Sequence, residues 1–360
     1  MLKFILSIGI ALIGFTMISQ SSEDPVYDEL VWSDEFDEDG ELDSSKWFHQ
    51  TELPNGNSWF NGEIQHYTDR LDNTYVEDGI MNLVAKAETF TDQGVTKNYT
   101  SARLNSKFAF TYGRVEVRAK LPTGIGTWPA IWMLGKNITE NGAYWDNQGY
   151  GTTAWPACGE IDIMEHWGTN QNFVQSAMHT PSSFGGTINH GGQVIPTAST
   201  EFHTYSLDWY PDRMVFSVDG VEHYTYEPEV QDDTTWPFDD EQYLLLNIAI
   251  QPSIESSFTE STMEIDYVRV YQEDDLSAEK IVEADLRIYP NPANAQTTIQ
   301  VPEAVIGSKV SIYSVQGQLI QQTELNSKTN YIDMSTWKSG LFIFKIEGQN
   351  TSEVFKVLKK

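Results

Sequence analysis

Cysteine is nearly absent from this 360-residue chain: Cys158 is the single thiol. An intramolecular disulfide is therefore impossible, and so is a cysteine-based zinc site. Basic residues are scarce too, with 22 Lys and Arg against 52 Asp and Glu, for a formal net charge of −30. That balance excludes a DNA or RNA surface, which needs clustered Lys and Arg on the phosphates. It also excludes attachment to anionic lipid through a basic patch. Beyond the N-terminus no apolar run approaches a membrane span, so no stable membrane insertion is expected. No window carries a sustained 3.6-residue apolar stripe, which argues against a helical fold. Internal repeats and low-complexity segments are lacking. Disorder is excluded by what is present: 40% hydrophobic and 12% aromatic residues supply a full core.

The first residues have the form of an export signal. Lys3 precedes an apolar run over 4–18, and Ser19-Gln20-Ser21-Ser22 follows it. The run is short for a bilayer-spanning helix and suits a signal peptide over residues 1–22. A retained N-terminal anchor is the alternative. A lipoprotein anchor is ruled out, because no cysteine lies near the cleavage region. The mature protein is expected to be soluble and monomeric, and either secreted or attached to the cell surface.

Residues 26–272 read as all-β. Short runs of Val, Ile, Tyr, Phe and Trp, such as 80–87, 113–121 and 263–271, are bounded by Gly, Asn, Asp and Pro. Asp219-Gly220 between two such runs is a hairpin signal. Many strands at short spacing predict a large β-sandwich of jelly-roll type. An acidic, polar linker follows at 273–285. Residues 286–360 form a second, small β unit, with strands expected at 298–301, 309–313, 331–334, 341–347 and 354–358. Residues 276–360 hold nine basic and eight acidic residues, so the negative charge belongs to the first unit. That unit also holds ten of the eleven Trp and all seven His, which places the chemistry there.

The most informative segment is Gly159-Glu160-Ile161-Asp162-Ile163-Met164-Glu165. Side chains at i and i+2 share a strand face, so Glu160 and Asp162 point one way while Ile161 and Ile163 enter the core. Strict alternation would bury Glu165 and expose Met164. One β-bulge at Ile163–Met164 returns Glu165 to the acidic face and brings Trp167 with it. Retaining glycoside hydrolysis needs two carboxyl groups about 5–5.5 Å apart, one a nucleophile and one an acid/base. On a concave sheet Glu160 and Glu165 can lean together, and Asp162 between them can tune both. The competing reading is an ordinary solvated acidic strand. Tryptophans nearby favour the first reading, because sugars stack their C–H faces on aromatic rings.

The segment resembles the active-site signature of glycoside hydrolase family 16 in its bulged, laminarinase-like form. Other resembling segments are Trp32-Ser33-Asp34-Glu35-Phe36, Asn61-Gly62-Glu63-Ile64-Gln65, Thr100-Ser101-Ala102-Arg103, Gly126-Thr127-Trp128-Pro129-Ala130-Ile131-Trp132 and Met263-Glu264-Ile265-Asp266-Tyr267. The resemblance implies a jelly roll with a cleft on its concave sheet, and retaining hydrolysis of internal β-1,3-glucosidic bonds in laminarin-like β-glucans. It implies Glu160 as nucleophile, Glu165 as acid/base and Asp162 as the assisting carboxylate. Trp128 and Trp132 match tryptophans flanking the cleft, with core packing as the alternative. Asn61 and Arg103 match positions that bind sugar hydroxyls, with structural hydrogen bonding as the alternative. His179 matches a histidine near the leaving group, against a plain strand histidine. Trp167 adds a further stacking platform.

No catalytic cofactor is implied. A structural Ca²⁺ is, with ligands from Glu35, Asp266 and the Gly79 carbonyl, all hard oxygens. One departure from the family pattern stands at Ile250-Gln251-Pro252-Ser253-Ile254, a cleft-edge loop that bears on substrate preference. Mixed-linkage β-1,3-1,4-glucanase is the same-class rival. A non-catalytic β-glucan lectin is the rival of another class. Tyr289-Pro290-Asn291-Pro292 and Ser339-Gly340-Leu341-Phe342-Ile343 make the second unit resemble a type IX secretion sorting domain, whose partner is that export machinery. A small carbohydrate-binding module is the alternative, disfavoured by the unit's single tryptophan, Trp337.

Overall fold

The computed structural model describes residues 24–273, 286–302, 305–315, 317–347 and 352–360. The expected export signal lies outside the described residues, as does the linker beyond Glu273, which ends a strand.

Two sheets form the sandwich, antiparallel throughout except where His66–Tyr67 runs parallel to Val95–Ser101 in the outer one. The inner one has seven strands in the order His190–Val194, Phe173–His179, Glu160–His166, Thr127–Gly135, Gln242–Ile250, Arg103–Phe110 and Trp47–His49. The outer one has ten strands, with Gly113–Lys120 and Glu260–Glu273 near its centre. Alternation explains the pairing of the faces. In Gly113–Lys120, Val115, Val117 and Ala119 are buried while Arg114, Glu116, Arg118 and Lys120 stay partly exposed. Val115, Val117, Leu83 and Met263 of the outer sheet meet Ile131, Met133, Ile161 and Leu246 of the inner sheet in one core. Each such aliphatic side chain contributes on the order of 2 kcal/mol on burial. The result is the all-β jelly-roll sandwich expected above.

Gln242–Ile250 is buried along its whole length. Leu244, Leu246 and Ile248 face the main core, while Tyr243 and Leu245 face a second small cluster with Leu134, Ile138 and Cys158. Its sequence is accordingly apolar from Tyr243 to Ile250, broken only by Asn247. Cys158 is a packing residue there, and burial pushes its thiol up to about 12, so it is no nucleophile. The loop after this strand folds onto Gly126. That glycine sits at φ +94°, and a Cβ on it would stand 2.3 Å from Ile254 Cα. Only glycine fits such a contact.

The second unit has a three-stranded and a four-stranded sheet around its own core, which includes Ile299, Val310, Ile312, Phe344 and Val357. Two of its strands, Arg287–Tyr289 and Leu319–Glu324, were not among those expected. Among the described residues no helix is long and apolar enough to cross a membrane.

Candidate active site

The strand Glu160–His166 has one residue too many for its neighbours. On one side Asp162 faces Trp132 and Met164 faces Ile131; on the other Asp162 faces Ala177 and Glu165 faces Gln175. Ile163 is skipped by both. The bulge therefore sits where alternation demanded it. Ile161, Ile163 and Met164 all turn into the core, and Glu160, Asp162, Glu165 and Trp167 all line one cleft of about 640 Å³.

Two of the three carboxyls share one histidine. His179 stands opposite Glu160 in the ladder, with Nε2 3.4 Å from Glu160 Oε1 and 3.2 Å from Asp162 Oδ2. Its Nδ1 accepts the Gly185 backbone N–H at 3.0 Å. The neutral ring must therefore carry its proton on Nε2, the carboxylate side. Each glutamate also takes one indole hydrogen. Trp155 Nε1–H donates to Glu160 Oε2 at 3.0 Å, and Trp128 Nε1–H donates to Glu165 Oε1 at 3.1 Å. Burial pushes all three carboxyls above the ordinary carboxylate range, and the charge of Asp162 pushes Glu160 and Glu165 further. The two indole hydrogen bonds act in the opposite sense. Three such groups do not all ionise together near neutral pH. The cluster therefore holds protons that isolated carboxyls would lose, and a retained proton is what the acid of paired acid and nucleophile chemistry requires.

Aromatic rings form the walls. Trp128 and Trp132 share the cleft face of Thr127–Gly135, and Trp128 stacks on Trp167 at 5.8 Å. Trp132 Nε1–H donates to Asn247 Oδ1 at 2.7 Å, and Asn247 Nδ2–H donates to Tyr67 Oη at 3.2 Å. The Tyr67 hydroxyl donates in turn to Glu63 at 3.0 Å. Arg103 lies under the floor, buried, its guanidinium 4.9 Å from the Trp132 ring centre and 2.8 Å from Glu140 Oε1. It both lines the cleft and has the structural partners of the alternative reading. Asn61 lines the same cleft in a left-handed turn, φ 54°.

All nine expected catalytic and sugar-binding residues thus border one cleft. Trp155, Asn247, Glu63 and Glu140 were missed. Trp155 precedes Glu160 by five residues, and a turn with Ala157 N–H on the Ala154 carbonyl folds it back. There its ring also meets Phe184, centre to centre at 5.3 Å. Pro156 and Gly159 mark a turn in the sequence, but not the direction in which it sends Trp155.

Of the expected calcium ligands, Asp266 lies in an outer-sheet strand, Glu35 just past the end of Tyr27–Asp34 and Gly79 in the turn before Ile80–Asp92. Ile265 faces Met81 and Asp34 faces Val268, so the register carries Gly79, Glu35 and Asp266 toward one junction. Glu35 is bidentate on Arg269 at 2.9 and 2.7 Å, and Asp266 pairs with Arg118.

Comparison with known proteins is consistent with this geometry. Residues 61–269 match Glycosyl hydrolases family 16, and residues 287–360 match the Secretion system C-terminal sorting domain. A Rhodothermus marinus protein named β-glucanase is 40% identical over 286 residues, covering 75% of this chain and 93% of its own. A LamA variant from Z. galactanivorans, solved with laminaritriose and laminaritetraose, is 45% identical at a TM-score of 0.64, covering 69% of this chain and 100% of that one. The laminarinase structure from Rhodothermus marinus is 40% identical at a TM-score of 0.59, covering 69% of this chain and 98% of that one.

Proposed function

This chain belongs to glycosyl hydrolase family 16, and from that premise we propose how its cleft works. The enzyme hydrolyses internal β-1,3-glucosidic bonds of laminarin-like β-glucans with retention. Glu165, protonated, gives its proton to the glycosidic oxygen while Glu160 attacks the anomeric carbon. The aglycone leaves, and a glycosyl–Glu160 ester remains. Glu165, now a carboxylate, takes a proton from water, whose oxygen displaces Glu160 and restores the original configuration. Asp162 adjusts the proton affinity of both neighbours. His179 directs its Nε2 hydrogen at the nucleophile side, and Trp155 holds the second oxygen of Glu160. Trp128, Trp132 and Trp167 offer stacking faces for glucosyl rings, and Asn61 and Arg103 offer polar groups for their hydroxyls. The observation that carries this reading is the bulge that sets Glu160, Asp162 and Glu165 together on the cleft face.

A reducing-sugar assay on laminarin, lichenan and agarose tests it, with the anomer of the first product followed by NMR. Rapid release from laminarin as the β-anomer is expected. Preference for lichenan would favour the mixed-linkage enzyme, and release from none would favour the lectin.

The sorting domain indicates secretion or cell-surface attachment. The finer organisation belongs to the same proposal: a signal peptide over 1–22, a catalytic unit over 26–272, a linker over 273–285 and a sorting unit over 286–360 read by type IX machinery, acting as a monomer. So does a structural Ca²⁺. Two carboxylates and the Gly79 carbonyl suit that ion in donor chemistry. Bound there, it would draw Glu35 from Arg269 and Asp266 from Arg118, and tie the first strand to the outer sheet.

A further inference from the structure

The bulge carries Glu165 onto the cleft, so whatever holds the bulge holds the chemistry. Ile163 has no ladder partner on either side. Its carbonyl oxygen accepts instead from Ser176 Oγ–H at 2.7 Å. Ser176 lies on the adjacent strand between Gln175, which faces Glu165, and Ala177, which faces Asp162. Gln175 and Ala177 line the cleft, so Ser176 points to the opposite, core side, where it is fully buried. Behind it stands His223, from strand Val221–Tyr226 of the outer sheet. His223 Nε2 is 2.9 Å from Ser176 Oγ, and its Nδ1 is 3.3 Å from Gln193 Nε2.

The donors fix the direction of this chain. Ser176 has one proton, and the Ile163 carbonyl can only accept, so that proton lies between them. His223 Nε2–H must then donate to the serine oxygen, and Nδ1 must accept from the Gln193 amide. A neutral imidazole with its proton on Nε2 satisfies every link. Burial favours that neutral form and holds the ring's pKa down to about 4.

We propose that Ser176, backed by His223 and Gln193, is the positioning element that locks the bulge and thereby aims Glu165. This rests on the acid/base role given to Glu165 above. Without the hydroxyl, the Ile163 carbonyl loses that hydrogen bond in a buried place. The strand then gains by sliding toward a regular ladder, which turns Met164 to the cleft and Glu165 away from it. Ser176 touches no substrate; it acts through the backbone.

Hydrolysis of laminarin and of a dinitrophenyl β-laminaribioside, each with and without sodium azide, separates this role from simple loss of structure. Dinitrophenolate leaves without a proton, so a misaimed Glu165 spares the first step and slows the second. There azide attacks the glycosyl–enzyme in place of base-activated water and yields a glycosyl azide. We expect Ser176→Ala to keep KM within about 2-fold while kcat on laminarin falls about 10- to 100-fold, the scale of a small misplacement of a reacting group. Azide should raise its aryl-glycoside turnover several-fold, as in Glu165→Ala. His223→Leu should be intermediate, and His223→Gln, which still offers a donor to Ser176, should recover most activity. Parent-like kcat in Ser176→Ala, or an equal loss on both substrates with no azide response, overturns the proposal. Should Ser176→Ala fail to fold, equal activity of His223→Leu and His223→Gln overturns it instead. A Glu165→Ala variant that azide does not rescue overturns the acid/base reading beneath it. Rescued Glu165→Ala beside parent-like Ser176→Ala overturns the lock alone.

Discussion

Removing the middle carboxylate should make this enzyme more stable and less active. Ligand atoms of Glu160, Asp162 and His179 lie within 4.8 Å of one another. Two ionised carboxylates about 5 Å apart repel by about 3 kcal/mol at an effective dielectric of 20. All three carboxyls hold their protons more tightly in the fold than in the unfolded chain. Their protonated forms therefore add stability below the ordinary carboxylate range, and that stability is lost as pH rises through the raised values. Asp162→Asn keeps the shape and deletes the charge that repels both glutamates. At pH 8 it should raise the melting temperature by roughly 5–10 °C, taking about 2–4 °C per kcal/mol for a unit of this size. At pH 4, where the parent cluster is protonated, the difference should vanish. Tryptophan fluorescence reports on the correct unit, because ten of the eleven tryptophans lie in it. The same variant should lose about 10-fold or more in kcat on laminarin, the usual exchange between site strain and activity. A variant less stable than its parent at pH 8, or a difference independent of pH, refutes the reasoning.

Glu160→Gln and Glu165→Gln should both remain folded and lose hydrolysis of laminarin by several orders of magnitude; parent-like reducing-sugar release in either sinks the assignment. Trp155→Phe keeps the ring beside His179 but deletes the hydrogen bond to Glu160, so kcat should fall on the order of 10-fold with modest change in KM. Steady-state kinetics on laminarin checks this, and a KM effect alone would assign Trp155 to sugar stacking only. Added Ca²⁺ should raise the melting temperature of the catalytic unit and chelator should lower it, while Asp266→Asn should abolish the response; an identical response in that variant displaces the ion from this junction.

Period-two alternation made much of the fold and the site readable beforehand. It set Ile161 and Ile163 inward, and showed that Glu165 needed a bulge to join Glu160 and Asp162. Alternation reports a face and not a partner. Asn247 reaches Trp132 across 115 positions, and Arg103 finds Glu140 across 37, so neither pairing leaves a local mark. Trp155 was hidden for a different reason: its contact with Glu160 depends on how a turn folds back, and a tryptophan before a proline does not encode that. The same limit applies to Ser176, an unremarkable serine until Ile163, skipped by the ladder beside it, is seen.

The buried lone thiol has a practical consequence. Cys158 is 1% exposed and packs with Leu134, Ile138, Tyr243 and Leu245, two residues from Glu160. With no second cysteine to compete, the rate at which a thiol reagent labels the native enzyme becomes a clock for opening of that small cluster. Oligosaccharide bound in the cleft should slow the clock, so one chemical label reads how firmly the floor behind the nucleophile closes when substrate is held.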